Sequence, residues 1–309
     1  MSRVIGILSG KGGVGKTTLV ANLGAALTND FKKNVIVVDS NIKTSHLGLH
    51  LGLYEDLPVT LKEVLNKKSS VNYATYIHPQ TGIRLLPAPL NSKDVNFDQE
   101  RFQNVINQLK RNYNIILVDI APGLGRETII SSSIIDEGII VTTPDLPAVT
   151  DALKTIDLLK RLRKDIAGIV VNRKKNEKYE LTIEEITSNA ECDLLAVIPE
   201  DKKIPESIAK GIPLVLMDKN SSASSAIKTL AGKLVNESYE PTGFVYSIKK
   251  LFGLEDNLNY QVSKKTFKKE SNLEEKEDVE KLKEEVLREI KDELKYAVKK
   301  KLREKMEKR

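Results

Sequence analysis

The strongest chemistry in this sequence lies in Gly10-Lys11-Gly12-Gly13-Val14-Gly15-Lys16-Thr17-Thr18. The stretch fits the spacing GxxxxGK[ST]. Glycines at these places leave backbone N–H groups room to converge on phosphate oxygens. Lys16 is placed for the β- and γ-phosphates of ATP, and the Thr17 hydroxyl for Mg²⁺. The run before it, Val4 to Leu8, reads as a strand, and Leu19 to Leu27 reads as a helix. That order is the context such a loop requires, because the helix N-terminus adds its positive dipole end. A glycine-rich turn without a ligand would leave two lysines in one tight loop unexplained.

Carboxylates follow two further apolar runs. Asp39 closes Val35 to Val38, and Asp119 closes Ile115 to Val118. A buried-type strand capped by Asp is suited to hold Mg²⁺ directly or through water. Ligands gather at such strand ends in doubly wound sheets. Thr17, Asp39 and Asp119 are therefore the candidate metal residues. His46, His50 and His78 show no metal-ligand spacing with other ligands. The single cysteine, Cys192, permits no internal disulfide and supplies too few thiolates for an iron–sulfur carrier. It precedes the apolar run Leu194 to Ile198 and reads as a core thiol.

Lys11 sharpens the reading. The string KGGVGKTT resembles the deviant Walker A motif of the MinD/ParA family of ATPases. The resemblance implies that Lys11 reaches across a nucleotide sandwich to a partner subunit's phosphates, which makes ATP part of a homodimer interface. It also gives Ser40 to Leu49 the place of the family's first switch loop, written D-x-D. Asp39 matches the first acid, and Asn41 replaces the second. Asn can hold a water but cannot accept its proton as a carboxylate does. Slow hydrolysis with ATP binding kept is the expectation. Normal turnover, with the water placed by another group, is the alternative.

Further resemblances come in family order. Ile120 to Gly125 is similar to the second switch, with Ile120 in place of a small polar residue and Ala-Pro in place of Pro-Ala. Thr142 to Asp151 resembles the segment T-x-P-E-x-x-x-x-x-D. There Asp151 is either an effector contact or a charge near a helix start, stabilised by the dipole. The V-N-R ending of Ala167 to Val171 resembles the family's adenine-reading asparagine, here Asn172. Pro199-Glu200-Asp201 resembles the loop that brackets adenine from the other side.

These residues need elements to hold them. Helices are expected over Thr60 to Lys67, with Thr60 and Glu63 as a capping box, and over Asp98 to Arg111. Others are expected from near Asp151 to Lys164, over Lys203 to Lys210 and over Ser222 to Glu237. Strands are expected at Ile83 to Leu86, Gly138 to Val141, Ala167 to Val171 and Leu194 to Ile198. Strands alternating with helices predict an α/β fold, a mostly parallel doubly wound sheet with helices on both faces. The chain has 309 residues, enough for one such domain over 1–240 and an appendage. There is no run of eighteen apolar residues, and the N-terminus enters a strand at once, so neither a membrane span nor a targeting peptide is expected. The expected setting is the cytoplasm, peripheral to the inner face of the cell membrane. The net charge of +6 permits contact with anionic lipid or DNA and demonstrates neither.

The sequence past Gly243 is different in kind. Phe244, Ile248, Leu251 and Phe252 fall on one helical stripe, with Lys249 and Lys250 off it. A basic amphipathic helix over 243–254 is a membrane-surface signal, and it resembles the membrane-targeting segment of MinD. A helix docked on the domain's own surface is the alternative. Residues 255–271 read as a polar linker. Residues 272–309 read as a charged helix whose apolar row steps mostly by four, so a left-handed coiled coil is not supported. Its basic end suits anionic lipid, an acidic partner, or solvent alone.

Three functions compete. One is a membrane-associating ATPase that dimerises on ATP and positions a partner such as division machinery. Another is a DNA-partitioning ATPase, which the amphipathic segment disfavours. The last is a nucleotide-gated scaffold without useful turnover.

Overall fold

Successive residues of a strand point to opposite faces, and in the central strands of this protein both faces are apolar. The sheet must therefore be covered twice. The computed structural model describes residues 2–53, 57–90, 95 and 97–239. Chain contacts divide the protein into Met1–Val262 and Ser263–Arg309, and every described residue belongs to the first. The expectations for 243–254, 255–271 and 272–309, with Phe244, Ile248, Leu251 and Phe252, lie outside the described residues.

The elements run β1 (Arg3–Leu8), α1 (Lys16–Asn29), β2 (Val35–Asp39), α2 (Leu47–His50), α3 (Leu61–Leu65), β3 (Tyr76–Ile77), β4 (Arg84–Leu86), α4 (Gln99–Leu109), β5 (Ile115–Asp119), α5 (Arg126–Ile134), β6 (Glu137–Thr142), α6 (Leu146–Arg161), β7 (Asp165–Lys174), α7 (Ile183–Ala190), β8 (Leu194–Pro199), α8 (Lys203–Ala209), α9 (Leu214–Met217) and α10 (Ser222–Val235). They build one eight-stranded sheet in the order β3-β4-β2-β5-β1-β6-β7-β8. Every pairing is parallel except β3 with β4.

Val4, Leu8, Ile36, Val38, Ile116 and Val118 face one core, filled from α3 to α7 by side chains such as Leu61, Phe102, Ile130, Ile156 and Ile186. Ile5, Ile7, Val37, Leu117, Ile139 and Val141 face the other, filled by Leu23 and Leu27 of α1, Leu214 of α9 and Ile227 and Leu230 of α10. The connections diverge at β1. From β1 the chain passes to β2 on one side, and from β5 it passes to β6 on the other. That reversal opens a crevice at the carboxyl ends of the strands, where doubly wound sheets bind ligands.

Most expected elements form, with corrections that have physical causes. The capping box of α3 is present, with the Glu63 carboxylate accepting from Thr60 N–H at 2.8 Å. Helix α6 starts earlier than expected, because Asp145 caps it by accepting from Ala148 N–H at 3.1 Å and Pro147 suits its first turn. Asp151 therefore sits in the second turn, ion-paired with Lys154 at 3.2 Å, and is not a dipole-stabilised residue at the helix start. Helices α2, α5, α7 and α9 and the two-residue β3 were not expected from sequence. Strand β7 continues through Asn172 and Arg173 to Lys174. Cys192 is half-buried against the first core, and burial pushes its thiol up to about 11.

The domain's last described residues are pinned. Lys228 of α10 is buried, pairs with Asp30 Oδ1 at 3.1 Å, and lies 5.5 Å from the Tyr239 ring centroid. Tyr239 also packs against Phe31. The point from which the remaining chain departs is thus fixed at the α1–α10 face. Among the described residues no helix is long and apolar enough to cross a membrane.

Candidate nucleotide-binding site

The loop between β1 and α1 is held open by its contacts. Gly15 occupies the N-cap position of α1 at φ 95°, a conformation open to glycine at no steric cost. No side chain caps this helix and its first turn holds no acid, so its leading N–H groups are left for an anion. At the other end of the loop, a Cβ on Gly10 would lie 2.1 Å from the carbonyl oxygen of Asp151. The loop is thus pressed against the backbone of α6. Ser9 donates its hydroxyl proton to Lys11 O at 2.7 Å and tightens the first turn.

The three candidate metal residues converge. Asp39 and Asp119 are direct neighbours in the parallel pairing of β2 and β5. Both are buried. Thr17 donates to Asp119 Oδ2 at 2.6 Å, while Asp119 Oδ1 is buried and has no partner. Burial first, then the charge of Asp119, push Asp39 up to about 7, against bonds from Ser45, Asn41 N–H and Leu47 N–H. Burial also raises Asp119, opposed by Lys16 and by the Thr17 bond. Two carboxylates that raise their proton affinity by burial and proximity form a site short of positive charge. An orphaned carboxylate oxygen beside a hydroxyl fits Mg²⁺, which keeps several waters and takes few protein ligands. Asp39 already accepts from Asn41 N–H at 3.0 Å, Ser45 at 2.9 Å and Leu47 N–H at 3.3 Å, so its natural reach to the ion is through water. Lys16 is buried beside the pair, and desolvation lowers its pKa although both carboxylates pull the other way.

The residues expected at the base also meet. β7 carries an extra residue between Val171 and Lys174 relative to β8, and Arg173 there has φ 59°. This bulge re-aims Asn172. Asn172 Nδ2 donates to Val14 O at 2.7 Å and would lie 2.3 Å from a Cβ on Gly15. The asparagine therefore grips the phosphate loop. A cleft of about 250 Å³ opens beside it, lined by Gly15, Thr18, Asn172, Pro199, Glu200 and Asp201 among others. Arg173 Nε pairs with Glu200 Oε2 at 2.8 Å along the cleft.

Two predicted residues stand outside this cluster. Lys11 is half-exposed and pairs with Asp145 Oδ1 at 3.5 Å. Burial works against ionised Asp145, but bonds from Thr143, Ala148 N–H and Lys11 hold its pKa below the usual range. Asn41 spends both ends of its amide on Thr44: Nδ2 donates to Thr44 O at 2.8 Å, and Oδ1 accepts from the Thr44 hydroxyl at 3.0 Å. Asp145, the cis partner of Lys11, was missed from sequence as a site residue. An acid two residues ahead of Pro147 is a helix-start signal that could have marked it.

A parallel sheet bearing this loop and this carboxylate pair defines a P-loop ATPase that works with ATP and Mg²⁺. A family model described as "ParA: NUBPL iron-transfer P-loop NTPase" matches residues 1–235. The septum site-determining protein MinD of Pyrococcus horikoshii, solved with Mg-ADP, is 34% identical; the match covers 76% of this chain and 96% of that one, at a TM-score of 0.71. MinD of Aquifex aeolicus, from a MinC:MinD complex, is 32% identical over 77% of this chain and 98% of that one, with a TM-score of 0.70. An uncharacterized ATP-binding protein of Methanocaldococcus jannaschii is 39% identical over 241 residues, 78% of this chain and 90% of that protein. The chain belongs to the ParA/MinD family of P-loop ATPases.

Two tests follow from this geometry. Asn172→Ala is expected to weaken ATP and ADP alike, by about fivefold for one lost hydrogen bond. Asn172→Asp, which sets a carboxylate against the Val14 carbonyl, is expected to weaken both further; titration of a fluorescent nucleotide checks the order. The second concerns pH. Because the folded protein raises Asp39 from 3.8 to about 7, the folded state binds more protons than the unfolded one between those values. Asp39 therefore contributes stability at low pH that is lost as pH rises towards 7. Thermal unfolding of the nucleotide-free protein should show a steeper fall across that window than Asp39→Asn does, and saturating Mg·ADP should flatten it.

Proposed function

We propose that this ATPase dimerises on ATP and attaches reversibly to a membrane surface, where it positions a protein partner such as division machinery. One observation carries the reading. Lys11 belongs to the phosphate loop yet stands at its rim, held by a solvent-exposed pair worth below about 1 kcal/mol. A lysine so placed is free to exchange Asp145 for the phosphates of a second copy. Within each pocket, Lys16 and the α1 N-terminus bind the phosphates. Thr17 and Asp119 hold Mg²⁺, and Asp39 supports it through water. The ion offsets phosphate charge as it develops. Asn172 sets the loop and accepts the base side, with Pro199, Glu200 and Asp201 opposite.

Membrane attachment rests on Phe244, Ile248, Leu251 and Phe252. One amphipathic segment gives marginal affinity, and a dimer that presents two gains by avidity. This links nucleotide state to attachment. A protein effector near Asp151 would act on the same loop, since the Asp151 backbone abuts Gly10.

Turnover is slow in this reading. Asn41 lacks a carboxylate, and its amide is already engaged by Thr44. That engagement also supports the scaffold reading, in which ATP gates assembly without useful hydrolysis. DNA binding is not favoured by any described feature.

Full-length protein should sediment with anionic vesicles in Mg·ATP and remain in solution in Mg·ADP. Lys11→Ala, or a chain ending at Gly243, should lose sedimentation; only Lys11→Ala should also lose the ATP-dependent dimer in analytical ultracentrifugation. A wild-type protein that stays monomeric in saturating Mg·ATP would falsify the reading. Salt-sensitive DNA binding without vesicle binding would favour partitioning instead. Asn41→Asp should raise phosphate release at least tenfold, since a positioned base contributes about 10²–10⁴ in rate; equal rates would remove the argument from Asn41.

A further inference from the structure

Ser40 and Ser131 are fully buried, and neither belongs to the phosphate loop or the carboxylate pair. Ser131 of α5 donates to Ser40 Oγ at 3.0 Å. Ser40 donates its own hydroxyl to Asp119 O at 2.9 Å. Its backbone N–H reaches the same carbonyl at 3.0 Å. The residue that follows Asp39 is thus bonded twice to the residue that bears the other carboxylate, and a helix hydroxyl completes the chain.

Packing does not call for this arrangement. Hydroxyls in a dry interior cost free energy unless they are bonded, and alanine would avoid that cost at the loss of only one oxygen atom's volume. A bonded hydroxyl adds direction. The bridge sets how far β2 and β5 can slide or spread where Asp39 and Asp119 lie side by side. The loop after β2 and helix α5 are linked again at the surface, where Lys43 Nζ meets Glu127 Oε1 at 3.1 Å. Helix α5 is itself fixed to the end of β5 by the Thr128 hydroxyl, which donates to Ala121 O at 3.0 Å.

We propose that Ser40 and Ser131 are positioning residues for the divalent cation. Their hydroxyl bridge holds Asp39 and Asp119 at the spacing one hydrated ion needs, and it makes α5 a mechanical part of the metal site. This rests on Thr17, Asp39 and Asp119 as the Mg²⁺ residues.

The test uses the full-length protein with ADP, and Mn²⁺ as the probe, read by electron paramagnetic resonance. Ser131→Ala should weaken Mn²⁺ binding to the ADP complex by about fivefold, the value of one hydrogen bond, and Ser40→Ala, which removes two bonds, by at least as much. The double variant should be no weaker than Ser40→Ala, because that change already removes the bond that Ser131 makes. ADP affinity without metal should be unchanged, which a general loosening of the fold would not allow. Ser131→Cys, with a weak S–H donor, should fall between, and it carries the comparison if alanine does not fold. Unchanged Mn²⁺ affinity in the variants, a parallel loss of metal-free ADP affinity, or additive losses would overturn the proposal. Should Asp119→Ala bind Mn²⁺ as well as the wild type does, the assignment of the metal residues fails instead.

Discussion

Two carboxylates buried side by side set the main electrostatic constraint on the candidate site. Asp39 and Asp119 end neighbouring strands and face a desolvated space with Lys16. Removing charges from water costs several kcal/mol per ion even after relaxation, roughly, and one buried ammonium does not satisfy two carboxylates. The fold therefore holds a charge arrangement that is incomplete by itself. Mg²⁺ with a polyphosphate is the kind of ligand that would complete it, because the ion would meet the carboxylates while its phosphates would meet Lys16 and the α1 N-terminus. Binding and local folding energy are coupled at this point.

Much of the surrounding structure serves to keep that arrangement rigid. The phosphate loop cannot drift towards α6, because Gly10 already touches the Asp151 backbone. It cannot drift away from β7 either, because Asn172 holds Val14 O. The β7 bulge gives Asn172 that reach. On the other flank, Ser45 and the backbone N–H groups of Asn41 and Leu47 fasten the first switch loop to Asp39. Each contact ties the phosphate loop or its carboxylates to a neighbouring element.

Two residues of the phosphate and switch loops stand apart from the buried cluster. Lys11 has an exposed pair with Asp145 and no place in its own cradle. Asn41 is absorbed by Thr44 rather than directed at the pocket. An amide in this place carries no charge and cannot take a proton from water as a carboxylate does.

The sequence by itself determined the phosphate loop, the strand-ending acids and the alternating two-sided sheet. Each is a local pattern: glycine spacing, an apolar run closed by Asp, and period-two burial. It also marked Asn172 and Pro199 to Asp201, which the fold brings to one cleft. Helix α5 escaped notice because Thr128, Ser131 and Ser132 sit on buried faces where apolar periodicity is expected. Only the tertiary structure decided what Asn172 grips, that Asp145 receives Lys11, and that Ser131 reaches Ser40. Those facts depend on contacts between residues 91 to 158 positions apart. No periodicity or motif encodes such distances; they arise when two packed cores fix the strands in register.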